Sequence, residues 1–343
     1  MSATILYAPN VHTGGGLVLL QGLLAAWPAD GPRIAVLDAR ARELLTVPQG
    51  VEVSWTLATP TSRLAGALRL ANATRAGDTT LCFHGLPPMI RNRSRVVVYM
   101  QNSLLLGLRP LRDYPLRTRA RIAFECQVAK RLRHRVAEYI VQTPSMAREL
   151  TRWYGPGCPP VRMLPFIDKW PIAASAAPAA WDFVYVSDGI ATKNHLRLLH
   201  AWQLLAAQGM RPSLALTLGP RDATLAARIA VQSRADRLNV VNLGHLPRPE
   251  VLKLYGRARA LLFPSLSESF GLPLIEAAHL GLPILAPELD YVRDVCSPAQ
   301  TFDPLSAVSI ARAVRRFLGE PEPLVQVSEP QALWAALAEG GRA

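Results

Sequence analysis

Short runs of β-branched and apolar residues alternate with helical-period segments from one end of this chain to the other. That alternation restricts the fold to parallel sheets covered by helices. Runs near 3–9, 33–38, 51–57, 79–84, 95–101, 138–143 and 161–166 predict strands, with helices at 15–27, 61–76, 115–137 and 144–154. From Ile167 to Ala180 the pattern lapses, because Pro171, Pro178 and many alanines show no clear period, and the stretch predicts a linker. The alternation then restarts, with strands near 182–187, 213–218, 239–244, 259–264, 283–286 and 300–302. Helices are predicted at 194–208, 221–233, 248–256, 271–280 and 305–318. The expected architecture is α/β, with two Rossmann-like doubly wound parallel-sheet domains over 1–166 and 181–320, joined by 167–180. A tail follows over 321–343, in which Pro330 to Leu337 predicts a helix packing back on the first domain. Such sheets bind ligands outside the carboxyl ends of their strands, so the chemistry is expected in the cleft between the domains.

With 343 residues, 50% hydrophobic and 18% charged, the chain can bury two cores of ordinary size and does not have the composition of a disordered protein. Lys and Arg number 38 against 25 Asp and Glu, a net charge of +13, which implies an acidic partner or an anionic surface. No nucleic-acid-binding motif accompanies that charge, so no nucleic-acid partner is expected. Cys82, Cys126, Cys158 and Cys296 are far apart and form no CxxC pair, a pattern of reduced thiols in a cytosolic protein. The apolar N-terminal stretch lacks a preceding positive region and is broken by Pro9, His12 and Gly14, unlike a signal peptide. No run of 18 apolar residues occurs, as a membrane-spanning helix would need.

The stretch from Phe263 to Ala277 carries the densest chemistry. A buried strand runs into Pro264, a serine-rich loop carries Glu268, and a helix starting near Gly271 carries Glu276. Free amides at that helix start, around Ser269, Phe270, Gly271 and Leu272, suit an anion. Two carboxylates eight positions apart flank it, and a carboxylate can accept both hydroxyls of a vicinal diol, from a sugar or a ribose.

Ser265, Glu268, Phe270, Gly271, Pro273, Glu276 and Ala277 together resemble the E-x7-E signature of retaining glycosyltransferases of family 4 (glycosyltransferase group 1), which have the GT-B fold. The likeness extends through Gly281-Leu282-Pro283-Ile284, Phe302-Asp303-Pro304 and, upstream, Asn242-Leu243-Gly244. It implies transfer of a hexose from a UDP- or GDP-type nucleotide sugar to a glycan or lipid-linked acceptor, as in bacterial cell-surface polysaccharide or lipopolysaccharide assembly. The resemblance also implies that Lys193 neutralises the donor diphosphate beside Asn194, and that the base meets backbone at Gly244, His245 and Leu246. Family members commonly carry an arginine five residues before the lysine; this sequence has Asp188 there. His84, at the end of the fourth predicted strand, matches a histidine that contacts the donor sugar. With Lys193 and Glu268 it completes the expected catalytic set.

Gly14, Gly15 and Gly16 open the first helix and let backbone approach a ligand closely. The resemblance sets Gly15 and Gly16 beside the donor phosphate and Gly14 by the acceptor. Gln101, Asn102 and Thr143 end strands and are positioned to touch acceptor or sugar, or to make ordinary loop hydrogen bonds. No Asp-x-Asp motif appears, and neither a metal nor a cofactor is expected. Between 109 and 135 nine Lys and Arg side chains interleave with apolar ones, which gives either a solvated helix face or an element suited to anionic headgroups. The resulting expectation is a cytoplasmic enzyme, peripheral on the inner face of the membrane. Its rivals are a catalytically inactive nucleotide-sugar-binding subunit, kept open by Asp188, and a sugar-nucleotide epimerase, for which Glu268 and Glu276 would have no evident use.

Overall fold

In a computed structural model that describes residues 2–107, 114–167 and 178–323, the chain forms two parallel sheets. The first half runs β1 (Thr4–Ala8), α1 (Gly14–Ala25), β2 (Arg33–Asp38), β3 (Val51–Thr56), α2 (Pro60–Ala73), β4 (Thr79–Cys82), β5 (Arg95–Tyr99), α3 (Leu116–Leu132), β6 (Glu138–Val141), α4 (Pro144–Tyr154) and β7 (Val161–Met163). The second runs β8 (Trp181–Tyr185), α5 (His195–Ala207), β9 (Leu214–Leu216), α6 (Ala223–Ala235), β10 (Val240–Asn242), α7 (Arg248–Tyr255), β11 (Ala258–Leu262), α8 (Leu272–His279), β12 (Ile284–Pro287), α9 (Asp290–Arg293), β13 (Gln300–Phe302) and α10 (Ala307–Phe317).

Strand order is β3-β2-β1-β4-β5-β6-β7 in one sheet and β10-β9-β8-β11-β12-β13 in the other. Each sheet reverses its winding beside its first strand, between β1 and β4 and between β8 and β11. The chain segments leaving those strands are therefore neighbours at a switch point, where an open α/β sheet leaves a crevice. This is the expected GT-B architecture.

The strands of the second sheet are apolar on both faces, as helices on each side require: Phe183, Val184, Tyr185, Leu261, Leu262 and Leu285 are fully buried. Trp202 of α5 meets Phe183 edge-on with centroids 5.8 Å apart, and its indole N–H donates to the Pro212 carbonyl. Each such side chain contributes roughly 1.5–3 kcal/mol on burial. Helix starts carry matching signals: the Thr143 hydroxyl accepts from the Met146 amide ahead of α4, with Pro144 at its first position, and Ser306 caps α10 in the same way.

Most predicted strands reach one to three residues too far at their carboxyl ends. Several of those residues, Phe83, Met100, Leu164, Leu243 and Phe263 among them, still donate one amide hydrogen bond to a neighbouring strand, but the ladder goes no further and the chain turns into loop. The helix predicted over 115–137 stops at Leu132 and tightens into a 3-10 turn at Arg133–Arg135. The four-residue α9 was not foreseen, since one turn is too short to display a period. The helix expected at Pro330–Leu337, most of the 167–180 linker and the 109–113 part of the basic segment lie outside the described residues.

The two halves meet across the carboxyl ends of their strands. The Ser103 amide, after β5, donates to the Ser269 hydroxyl, after β11, at 3.0 Å. The Ser145 amide in the first turn of α4 donates to Asp294 at 2.9 Å, and Arg148 pairs with Asp290 at 3.1 Å. Phe270 and Leu272 join the buried cluster of the first half that includes Leu6, Leu19 and Leu20.

Candidate active site

Because β8 pairs with β11, the segment 186–194 after β8 lies beside the segment 263–271 after β11. Their contacts are specific. The Leu266 amide and the Ser265 hydroxyl donate to the Thr192 carbonyl, at 2.8 and 3.2 Å, and Tyr185 donates to the Lys193 carbonyl at 2.8 Å. Tyr291 fixes the far side by donating to the Ser265 carbonyl at 2.6 Å. Held in this way, Lys193 donates from Nζ to Glu268 Oε1 at 2.6 Å, and both side chains are largely shielded from solvent.

Asn194, expected at the donor, has its side chain engaged within the protein. It sits in the left-handed region at φ 62°. Its amide donates to the Pro264 and Pro304 carbonyls at 3.1 and 2.8 Å, while its oxygen faces Arg197. The side chain is spent on joining three loops, so it positions Lys193 rather than reaching into the cleft. His195 follows, buried, with Nε2 3.2 Å from the Ser187 hydroxyl. Burial, with Lys193 nearby, pushes its pKa down to about 4.

Asp188 lies within electrostatic reach of the lysine and remains exposed at the surface. Desolvation raises its carboxyl pKa; Lys193 opposes that shift, and Asp222 and Glu268 add to it. Asp222 reaches this position because Gly189 has no side chain: a Cβ there would stand 2.7 Å from Asp222 Oδ1. Lys193 is thus paired with Glu268 and within electrostatic reach of Asp188.

Gly271 adopts φ 70°, the left-handed conformation that glycine tolerates without strain, and opens α8. The helix has no acidic residue in its first turn and no side-chain cap; Pro273 has no N–H and the Leu274 and Ile275 amides donate to the Gly271 carbonyl, so the amides from Ser269 to Leu272 are those left at the positive end of the helix dipole. Glu276 lies one turn further in. Its side chain is 8% exposed, accepts from Tyr255 Oη at 3.1 Å, and has Arg248 Nε 3.6 Å from Oε1. Burial raises its pKa, and Arg248 and Tyr255 pull it back.

Gly15 packs closely on the facing half of the molecule. A Cβ there would stand 2.9 Å from Leu272 Cδ1, so the missing side chain lets α1 approach α8 across the domain boundary. Gly16 lies against Gln101 and Val11, while Gly14, at φ 64°, has open space around it. Phe270 and Leu272 are buried in the interdomain cluster, and the Ser269 hydroxyl is engaged by Ser103. What these three offer a ligand is backbone.

Gly244 adopts φ 80° and leaves His245 exposed. Leu246 packs on the core of the second half. Asn102 caps a short 3-10 turn through Leu104, and Thr143 caps α4; both make the loop hydrogen bonds that were their alternative role. His84 follows β4, with its ring 5.4 Å from that of Tyr7. Burial pushes its pKa down to about 4, with the Tyr7 backbone opposing, so the imidazole is neutral at pH 7. Among the described residues no hydrogen bond or ion pair joins it to Lys193 or Glu268.

A cluster at the ends of β1 and β2 escaped sequence reasoning. Asp38 is fully buried and held by Arg40 at 2.6 Å, with His12 Nδ1 3.8 Å away. The Asp-x-Arg pattern at a strand end was its one legible sign. Among the described residues, no three His, Cys, Asp or Glu side chains are grouped as metal ligands.

Residues 168–332 match the family model of the glycosyl transferases group 1. The chain is 30% identical over 200 residues to a glycogen synthase of Mycobacterium tuberculosis, across 53% of this chain and 45% of the synthase. It therefore spans less than half the length of that relative. The structure of a sucrose-phosphate synthase from Thermosynechococcus elongatus superposes with a TM-score of 0.69 at 17% identity, covering 94% of this chain and 90% of that one. Anabaena HepE in complex with UDP-glucose gives a TM-score of 0.66 at 14% identity, with 93% and 90% covered. At such identities the structural likeness speaks for the fold, which is GT-B.

Proposed function

Residues 168–332 of this chain belong to the glycosyl transferases group 1, and on that premise we propose that the protein moves a hexose from a UDP- or GDP-type nucleotide sugar to a hydroxyl of a glycan or lipid-linked acceptor, with retention at the anomeric carbon. The observation that carries this is the Lys193–Glu268 pair at 2.6 Å, set at the switch point beside the uncapped start of α8. A cation and a row of amides suit a diphosphate. Glu268 suits sugar hydroxyls, and Glu276, on the next turn, suits a ribose.

In this scheme Lys193 and the amides near Gly271 stabilise the negative charge that builds on the departing nucleoside diphosphate. The bond from anomeric carbon to phosphate oxygen breaks while the acceptor oxygen bonds to the same face. The acceptor proton passes to the leaving phosphate. His84, neutral at pH 7, contacts the sugar. These roles draw on no divalent metal and no resident cofactor.

The basic helix supports a cytoplasmic enzyme resting on an anionic membrane. Leu116 and Phe124 are 77% and 62% exposed on α3, whose Arg117, Arg121 and Arg131 are also exposed. That combination of apolar anchors and cations suits an interfacial helix. Among the described residues no helix is long and apolar enough to cross a membrane. Assembly of bacterial surface polysaccharide or lipopolysaccharide supplies acceptors of this kind.

The deciding experiment incubates the protein with UDP-, GDP- and ADP-sugars and follows thermal shift, donor hydrolysis and the anomer released. Binding with release of the original anomer is expected. Inversion would overturn the retaining course, and binding of a nucleotide sugar with no turnover on any acceptor would leave the inactive-subunit reading.

A further inference from the structure

Glu276 is gripped by one neighbouring helix. Arg248 opens α7 and Tyr255 closes it. Seven residues make close to two turns, so the two share a face. From that face Tyr255 donates to Oε2 at 3.1 Å and Arg248 Nε lies 3.6 Å from Oε1. One carboxylate oxygen thus accepts a hydrogen bond from Tyr255, and the other faces the Arg248 guanidinium, whose charge favours the ionised form. Tyr255 is buried and Arg248 half-buried, so neither contact is a fully solvated surface pair.

Position alone does not suffice for a carboxylate. An ionised carboxylate only accepts, with about four sites, and after serving Tyr255 it still has room for both hydroxyls of a diol. A protonated one turns an acceptor into a donor. Burial drives Glu276 toward protonation, and Arg248 and Tyr255 are the groups that oppose this. β12, packed against α8, presents Ile284, Leu285, Ala286 and Pro287, all apolar, and supplies no charge.

We propose that Arg248 and Tyr255 are positioning residues that hold the Glu276 carboxylate for a vicinal ribose diol, making the site selective for ribonucleotides over their 2′-deoxy counterparts; this rests on the donor-site reading above. A conservative change on α7 should then alter nucleotide choice and its pH dependence without touching the diphosphate contacts of Lys193.

The test measures by calorimetry the Kd of UDP, GDP and ADP and of their 2′-deoxy forms from pH 6 to 9, for wild type, Arg248→Met, Arg248→Lys and Tyr255→Phe. Hydrogen bonds to a charged group predict a wild-type ribose preference of about 10-fold or more. Arg248→Met should show a smaller preference than wild type at the acid end of the range and recover it as pH rises. Its affinity for the 2′-deoxy form should change little, and Arg248→Lys should fall between. Tyr255→Phe should show a smaller shift in the same direction. An Arg248→Met protein with wild-type preference at every pH overturns the proposal. So does equal loss for both nucleotide forms at every pH, which marks a purely structural role. If Arg248→Met does not fold, Arg248→Lys with an unshifted pH profile overturns it equally. Wild type that binds the diphosphates with no ribose preference overturns the placement of Glu276 itself, and wild type that binds none overturns the donor-site reading, so the failures are distinguishable.

Discussion

Lys193 and Glu268, 75 positions apart, are hydrogen-bonded to one another, Nζ to Oε1 at 2.6 Å. The pair links a cation suited to phosphate with a carboxylate suited to sugar, and each restrains the other's rotamer. Turnover should therefore be sensitive to both residues in a coupled way.

Lys193→Ala is expected to lower kcat by about 10²-fold or more, the usual effect of removing one group that stabilises developing negative charge. Lys193→Arg should lose less. Residues in direct contact are non-additive, so the double variant Lys193→Ala, Glu268→Ala should fall short of the product of the single losses. Steady-state kinetics on folded variants measure this, and strictly multiplicative losses would show that the pair does not act as a unit.

Glu276→Ala should weaken nucleotide binding by about 1.5–3 kcal/mol, the range for hydrogen bonds to a charged group. Calorimetry with the preferred nucleoside diphosphate reads it directly. Unchanged affinity would remove Glu276 from the site.

Gly15→Ala introduces a methyl 2.9 Å from Leu272 Cδ1. Since the obstructing atom is the flexible end of a side chain, the expected stability loss is only about 1 kcal/mol. Turnover should suffer more, because Leu272 begins α8 and its displacement shifts the domain contact. Leu272→Ala in the Gly15→Ala background should restore part of the activity. Absence of any such compensation in a double-mutant cycle would refute the coupling.

His195 gives stability a pH dependence of known sign. Its pKa falls from the ordinary 6.5 to about 4 in the folded state, so between those values the unfolded chain binds more protons. The contribution is complete above pH 6.5 and is lost as pH falls toward 4. Denaturant unfolding at pH 5.5 should show about 1 kcal/mol less stability from this residue than at pH 7.5. In His195→Asn that portion of the difference should vanish; an identical pH slope in the variant would sink the assignment.

Neutralising Arg117, Arg121 and Arg131 to Gln should release the protein from anionic vesicles, at about 1 kcal/mol per side chain, and raised salt should act likewise. Lys130 is a poorer choice, since its ammonium lies 4.8 Å from the centre of the Trp153 ring. Donor hydrolysis in solution should persist. Equal flotation of wild type and variant would reduce α3 to a solvated face.

Periodicity, turn residues and one dense motif determined the two sheets, most helices and the segments that carry chemistry, because burial on one face or both leaves a local imprint on sequence. They also determined Lys193, Glu268 and Glu276 as the groups to look for. Tertiary structure alone decided which neighbours these groups meet. The sequence placed Asn194 with the donor, but the fold turns its side chain inward to three loops, and nothing local marks which carbonyls it will meet. It read Gly15 as a phosphate contact, yet the close approach comes from Leu272, far along the chain. The order β8-β11 sets Lys193 beside Glu268, and the packing of α7 on α8 brings Arg248 and Tyr255 to Glu276. These relations depend on distances between residues remote in sequence, and such distances are fixed only when the sheets assemble and the two domains meet.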